Sequence, residues 1–249
     1  MAKFRDSDPE TAEFLEKYPT QEAFEEAQRK ALADMTNQSV PAMQVPLPTL
    51  TGKINADGEF KSTFETGKTG SAMGSNEEYR GMRAEYEADL FSVGAGAAPG
   101  ERPKYGFLMG KDAEAHLRAG VPDQYGDATV VFKDSVRGRT TFTENDSLDS
   151  RGYRLPSPLG KPSHLSAYPG TDLGSHMRAL KPRGPASGHG FSAYYDEAQY
   201  HGKLSVSDIQ HVYLRAEPNK TQRPRLEKMA ARHGFTWSVV SVPKDEDDD

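Results

Sequence analysis

A carboxylate set in an aromatic strand is the chemistry-bearing feature of this 249-residue chain: Tyr194-Tyr195-Asp196-Glu197-Ala198-Gln199-Tyr200-His201-Gly202. Aromatic residues favour extended backbone, and alternation sets Tyr195, Glu197 and Gln199 on one face, with Tyr194, Asp196, Ala198 and Tyr200 on the other. An acid between a phenol and an amide suits a reaction in which positive charge develops on a sugar ring. A fixed carboxylate stabilises an oxocarbenium-like centre more than the neutral ground state. A half-exposed strand carrying a solvated acid is the competing reading of the same residues.

Further groups upstream could serve a phosphate or ribose. Phe60 to Ser71 reads as a strand entering a loop of Gly, Thr and Ser, whose backbone N–H groups and hydroxyls suit a pyrophosphate; a plain hairpin turn fits as well. Gly67-Lys68-Thr69 is not a P-loop, because Ser62 stands where GxxxxGKT needs its first Gly. Arg102 opens a strand after the flexible run from Gly94 to Gly100, where a guanidinium could clamp a diphosphate or simply be solvated. Arg137 and Arg139 admit the same two readings. The hydroxyls of Thr140, Thr141 and Thr143 could orient the acid, although β-branched residues belong in any strand.

Other chemistries lack their residues. The chain has no Cys, so thiol nucleophiles, disulfides and thiolate metal sites are absent; its seven His form no helical i, i+4 pair beside a carboxylate ligand, and no metal is expected. No GxSxG occurs, which leaves a hydrolase nucleophile elbow without support. His189, in Ser187-Gly188-His189-Gly190, is a candidate lid residue or an exposed loop His. A net charge of −6 argues against nucleic acid as a partner. No apolar run approaches the length of a membrane span, and MAKFRDSDPE is too polar for a Sec-type signal peptide, so a soluble protein is expected.

The elements that must position these groups follow from periodicity and punctuation. Residues 8–35 read as one or two helices opened by Asp8-Pro9, either a packing accessory or a partner-binding module. The Pro-rich run through Pro41, Pro46 and Pro48 reads as an extended connector. Strands are expected at 59–66, 104–109, 128–133, 140–143, 193–200, 211–215 and 236–242. Helices are expected at 77–91, with Tyr79, Met82, Tyr86 and Leu90 as the apolar stripe, and at 222–233, ended by Gly234. Residues 150–190, rich in Pro, Gly, Ser and His, read as a long functional or mobile connection. The expected organisation is a helical and Pro-rich region over 1–50, an α+β domain over 51–243 and an acidic disordered tail over 244–249.

Taken together, Phe60 to Gly67, Glu101-Arg102-Pro103-Lys104-Tyr105-Gly106, Tyr125-Gly126-Asp127, Arg139-Thr140-Thr141-Phe142-Thr143 with Asp146-Ser147, and Glu197 to Gly202 resemble a bacterial ADP-ribosyltransferase-like family of formerly unknown function. That family includes CteC-type secreted effectors that use NAD to modify host ubiquitin on a threonine. The order of Arg102, the threonine strand and Glu197 is also similar to the Arg, Ser-Thr-Ser, Glu order of a wider transferase superfamily. Tyr195 stands where that superfamily has Gln or Glu, which suits a hydroxyl acceptor or water better than a guanidinium.

The resemblance implies two small antiparallel or mixed sheets around an NAD cleft, with NAD as co-substrate. It implies Glu197 as the acid flanked by Tyr195 and Gln199, and Arg102, Tyr105, Ser62, Phe64, Glu65, Thr66, Gly67, Thr140 and Thr141 near the cofactor. It further implies a monomeric, secreted effector acting in a host cytoplasm. An NAD glycohydrolase and a non-catalytic partner-binding protein on the same fold stand beside that reading.

Overall fold

A computed structural model describes residues 37–67, 76–94, 96–118, 125–144, 147–148, 157–159 and 196–240, with residues 20, 22–23, 26, 30 and 33 before them. Tyr194, Tyr195 and His189, most of 8–35 and of 150–190, and the acidic tail lie outside the described residues. Those described between Glu22 and Asp34 are helical, as expected, and so are Asn37 and Gln38, where an extended connector is expected.

An eight-stranded mixed sheet organises the chain. Its strands are β1 (Ser39–Val45), β3 (Lys104–Gly110), β4 (Ala128–Phe132), β5 (Thr140–Glu144), β6 (Ser157–Pro158), β7 (Asp196–Tyr200), β9 (Ile209–Leu214) and β10 (Thr236–Val239). They lie in the order β10-β9-β4-β1-β3-β7-β5-β6; β9 and β10 are parallel and the other neighbours antiparallel. A separate two-stranded sheet joins β2 (Glu59–Phe60) to β8 (Leu204–Ser205). The α+β class matches expectation, with one large and one very small sheet. A helical run follows β1 as α1 (Leu47–Thr49), a π turn (Leu50–Ile54) and α2 (Asn55–Asp57). Then come α3 (Thr63–Thr66), α4 (Asn76–Phe91), α5 (Ala113–Arg118) and α6 (Gln222–His233), which carries β9 over to its parallel neighbour β10.

Two expectations are corrected here. The Pro-rich connector is extended only over residues 39–45, and there as β1, an interior strand of the sheet; from Leu47 on, Pro48 included, it is helical, because a Pro in the first helical turn removes an N–H that has no intrahelical partner. Pro41 is tolerated because the ladder to β4 begins only at Ala42, so a missing N–H interrupts no pairing there. The strand expected over 59–66 stops at Phe60, and 63–66 turn into α3. Ser62 caps that turn: its Oγ accepts from Glu65 N at 3.2 Å, while Glu65 Oε2 accepts from Ser62 N at 2.7 Å. This S-x-x-E capping box is legible in the sequence and outweighs the strand propensity of Phe60 and Phe64.

Period-two alternation gives the sheet two different faces. One carries Met43, Val45, Leu108, Val130, Phe132, Phe142, Ala198, Tyr200, Val212 and Leu214 into the main core, under the helical run, α6 and the small sheet. Burial of each large apolar side chain there stabilises the fold by about 1.5–3 kcal/mol. Tyr200 crosses β3 to donate its hydroxyl to Ala42 O at 2.7 Å. It can do so only over Gly106, where an added Cβ would lie 2.2 Å from that same carbonyl oxygen and 2.9 Å from the Tyr200 ring. Tyr125-Gly126-Asp127 is structural in the same sense. Gly126, with φ of 140°, lets the chain pass against Val45 and Pro46, and Asp127 Oδ1 accepts from Leu47 N at 2.7 Å at the start of α1.

The other face divides in two. Ala42, Phe107, Met109 and Val131 form a small apolar cluster with Ala113 and Leu117 of α5. Beyond it, Tyr105, Glu197, Gln199, Thr141 and Thr143 share the face at the β3-β7-β5 end of the sheet, as the register pairs Tyr105 with Gln199, Gln199 with Thr141 and Glu197 with Thr143.

Candidate active site

Glu197 sits on β7 between β3 and β5, and every residue of β7 is buried. The acid is therefore no solvated strand residue. It is 4% exposed, and the charged groups around it are equally enclosed: Arg83 at 3%, Arg102 at 4% and Glu87 at 0%. A buried charge is tolerated only where opposite charge and hydrogen bonds compensate its lost hydration.

Those compensations form one continuous network. Glu197 Oε1 accepts from Ser147 Oγ, and from Gln199 Nε2 at 3.0 Å; its Oε2 lies 3.7 Å from Arg83 Nη2. Arg83 Nη1 donates to Ser147 Oγ at 2.6 Å, so Ser147 links the guanidinium to the carboxylate. Arg83 also donates to the Tyr79 hydroxyl and lies over the Tyr105 ring, 4.0 Å from its centroid. Tyr105 donates to Glu87 Oε1 at 2.7 Å, and Arg102 Nη1 meets Glu87 Oε2 at 2.6 Å. The Arg102 guanidinium in turn lies 4.2 Å from the Phe64 ring centroid. Burial, opposed by the Arg83 charge, holds the Tyr105 phenol well above its ordinary pKa and keeps it a donor.

A second arm fixes Gln199. Thr141 Oγ1 donates to Gln199 Oε1 at 2.9 Å and lies 2.8 Å from His201 Nε2. Because the threonine has one proton and gives it to Gln199, His201 must carry its proton on Nε2 and donate to Thr141. The amide orientation that results aims Gln199 Nε2 at Thr143 Oγ1 and Glu197 Oε1, both at 3.0 Å. Burial, then the nearby Lys104 charge, lowers the His201 pKa from its ordinary 6.5.

Helix α4 supplies the cover. Its buried stripe is Tyr79, Arg83 and Glu87, at i, i+4 and i+8, while Met82, Tyr86 and Leu90 are only half-buried. The helix lies where expected, but of the apolar stripe expected on it only Tyr79 is on the face it buries. Arg83 and Glu87 were missed because an Arg and Glu four apart on a helix read as an exposed ion pair. Ser147 and His201 stand within motif blocks of the sequence, where nothing marks them as partners of Glu197 and Thr141.

The expected cofactor contacts divide. Glu197, Gln199, Thr141, Tyr105, Arg102 and Phe64 belong to the network. Thr140 does not: it faces the opposite side of the sheet and donates to Val136 O at 2.9 Å. Ser62 and Glu65 cap α3, Thr66 Oγ1 donates to Ser62 O at 3.1 Å, and Gly67 takes the left-handed C-cap with φ of 67°. Of the loop read over Phe60 to Ser71, residues 63–66 form a capped helical turn, and 68–71 lie outside the described residues. Arg137 donates to Ser39 O, and Arg139 to Lys203 O and Asp208, so both tie the sheet together.

Among the described residues no group of three or more His, Cys, Asp or Glu is placed to hold a metal ion, and no helix is long and apolar enough to cross a membrane. No protein-family model and no curated protein matches the sequence.

Proposed function

We propose that this chain is an NAD-dependent mono-ADP-ribosyltransferase in which Glu197 is the acid. One observation carries the reading: Arg102 stands two residues before β3, and Glu197 and Thr141 lie on β7 and β5, the next two strands of the sheet, with the Glu197 carboxylate fixed by Ser147, Gln199 and Arg83. A carboxylate already held by donors needs little reorganisation when positive charge appears beside it.

In the proposed reaction the bond between nicotinamide nitrogen and ribose C1′ breaks, and nicotinamide leaves with the bonding electron pair. Glu197 faces the resulting ribosyl cation. A protein hydroxyl then forms the new O–C1′ bond and loses its proton. Arg102 is the candidate for the diphosphate, which must compete with Glu87 for its guanidinium. The resemblance extends the proposal to a threonine of ubiquitin as acceptor and to a secreted, monomeric effector working in a host cytoplasm.

Intact-mass spectrometry of ubiquitin incubated with the protein and NAD tests this. A single ADP-ribose adduct that needs NAD and is lost in Glu197→Gln supports the transferase. Nicotinamide release with unmodified ubiquitin, in the absence of other acceptors, points to a glycohydrolase. The deep burial of Glu197 and Arg102 favours a second reading, a binding protein that uses the network as scaffold; it predicts no nicotinamide release at all.

A further inference from the structure

On the side of the sheet away from Glu197, a cavity of about 340 Å³ opens between α6 and the π turn. Its lining is basic. Arg225, Lys228 and Arg232 recur at i, i+3 and i+7 on α6, so their side chains run along one face, with Met229 as an apolar floor. Across from them stand Thr51, Gly52 and Asn55.

Three features distinguish this cavity from an ordinary solvated helix face. First, among the described residues none of these three cations has an acidic partner, whereas Arg223 on the same helix is paired with Glu217. Like charges three and four apart repel, and Arg225 stands in a first turn without any acid, where the helix dipole disfavours a cation. A bound anion removes both penalties.

Second, Asn55 donates Nδ2 to Thr51 O at 3.5 Å and leaves Oδ1 enclosed without a protein partner. Asn55 lines the cavity, and a turn of its amide brings that unpartnered oxygen to a ligand hydroxyl or amine. Third, the wall is a π turn, an irregularity that recurs at functional sites, and Gly52 opens it because no Cβ occupies the space there.

We infer that this cavity binds a small phosphorylated molecule, a nucleotide or sugar phosphate, with its phosphates on Arg225, Lys228 and Arg232 and a hydroxyl or amino group donated to Asn55. The volume lies in the range of small-molecule sites. The site shares no residue with the Glu197 network, so its occupancy can be measured without NAD turnover.

Calorimetric titration of the full chain with ATP, inorganic tripolyphosphate and adenosine tests the inference. ATP and tripolyphosphate should bind and adenosine should not. R225A/K228A/R232A should weaken ATP binding by at least about tenfold for each cation that holds a phosphate. K133A/K203A/K220A, which removes the same charge elsewhere, should bind ATP as the parent does. ATP should bind more tightly than tripolyphosphate, and Asn55→Ala should abolish that difference. No heat with either phosphate ligand, equal weakening in the two triple variants, or undiminished binding in R225A/K228A/R232A would overturn the site. Unfolding midpoints without ligand show that each variant is folded before its titration is read.

Discussion

Arg83 Nη2 lies 3.7 Å from Glu197 Oε2, and the two side chains, brought together from helix α4 and strand β7, are both almost wholly buried. Ser147 completes the pair by accepting from Arg83 and donating to Glu197. Removing Arg83 takes a cation from beside a buried carboxylate. Arg83→Met is therefore expected to destabilise the protein by about 3–5 kcal/mol. Adding Glu197→Gln should recover about 0.5–3 kcal/mol of that loss as coupling between neighbours. Urea unfolding of the two single variants and the double variant measures it, and strict additivity would deny the pair.

Activity separates Glu197 from the other acid that the sequence brings forward. Glu197→Gln should lose on the order of 100-fold or more in nicotinamide release, as when one preorganised electrostatic group is removed. Glu65→Gln should retain turnover, because Glu65 closes a capping box in which Gln also serves. Initial rates of the two variants decide it, and the reverse pattern would move the acid to Glu65.

Ser62→Ala should cost about 1 kcal/mol, the usual worth of a helix N-cap. The expected readout is a lower unfolding midpoint with turnover intact, since the Ser62 hydroxyl serves α3 and Pro99 O. Lost turnover in a folded Ser62→Ala protein would restore a cofactor role to this loop.

Gly106→Ala tests the contact on which the main core closes. A Cβ placed 2.2 Å from Ala42 O must push apart β3, β1 or the Tyr200 ring. The expected loss is about 1–3 kcal/mol or more, as for an overpacked core. A denaturation midpoint equal to the parent's would show that Tyr200 does not depend on that gap.

Stability should also report on His201. Burial and Lys104 lower its folded pKa from 6.5, so the unfolded chain binds a proton first as pH falls. His201 thus contributes stability that is complete above its ordinary value and declines as pH drops below it toward the folded value. Burial lowers His211 and His233 in the same direction. His201→Gln should accordingly reduce, without abolishing, the loss of stability as pH falls below about 6.5. An unchanged slope would mean that His201 titrates alike in both states.

Local signals predicted what local physics controls. Gln222 to His233 is helical with Gly234 left-handed behind it, and the alternation of Asp196, Glu197, Ala198, Gln199 and Tyr200 is the one observed. Pro41 and Pro46 misled because a Pro-rich stretch reads as a linker, whereas one Pro at the edge of a ladder leaves a strand intact. In α4 the sparse apolar residues concealed a buried stripe that is polar.

The sequence by itself determined the α+β class, most strand positions and the face on which Glu197 and Gln199 lie, because these follow from backbone preference and period-two geometry. Only the tertiary structure decided what surrounds that acid. Arg83 and Glu87 come from α4, Ser147 and His201 from the segments that follow β5 and β7, and they meet only because α4 closes over β3 and β7. Periodicity names the face of an element, while the partner of a charge is set by packing between distant segments, and so Arg102, which reads as a diphosphate clamp or a solvated charge, is found bound to Glu87.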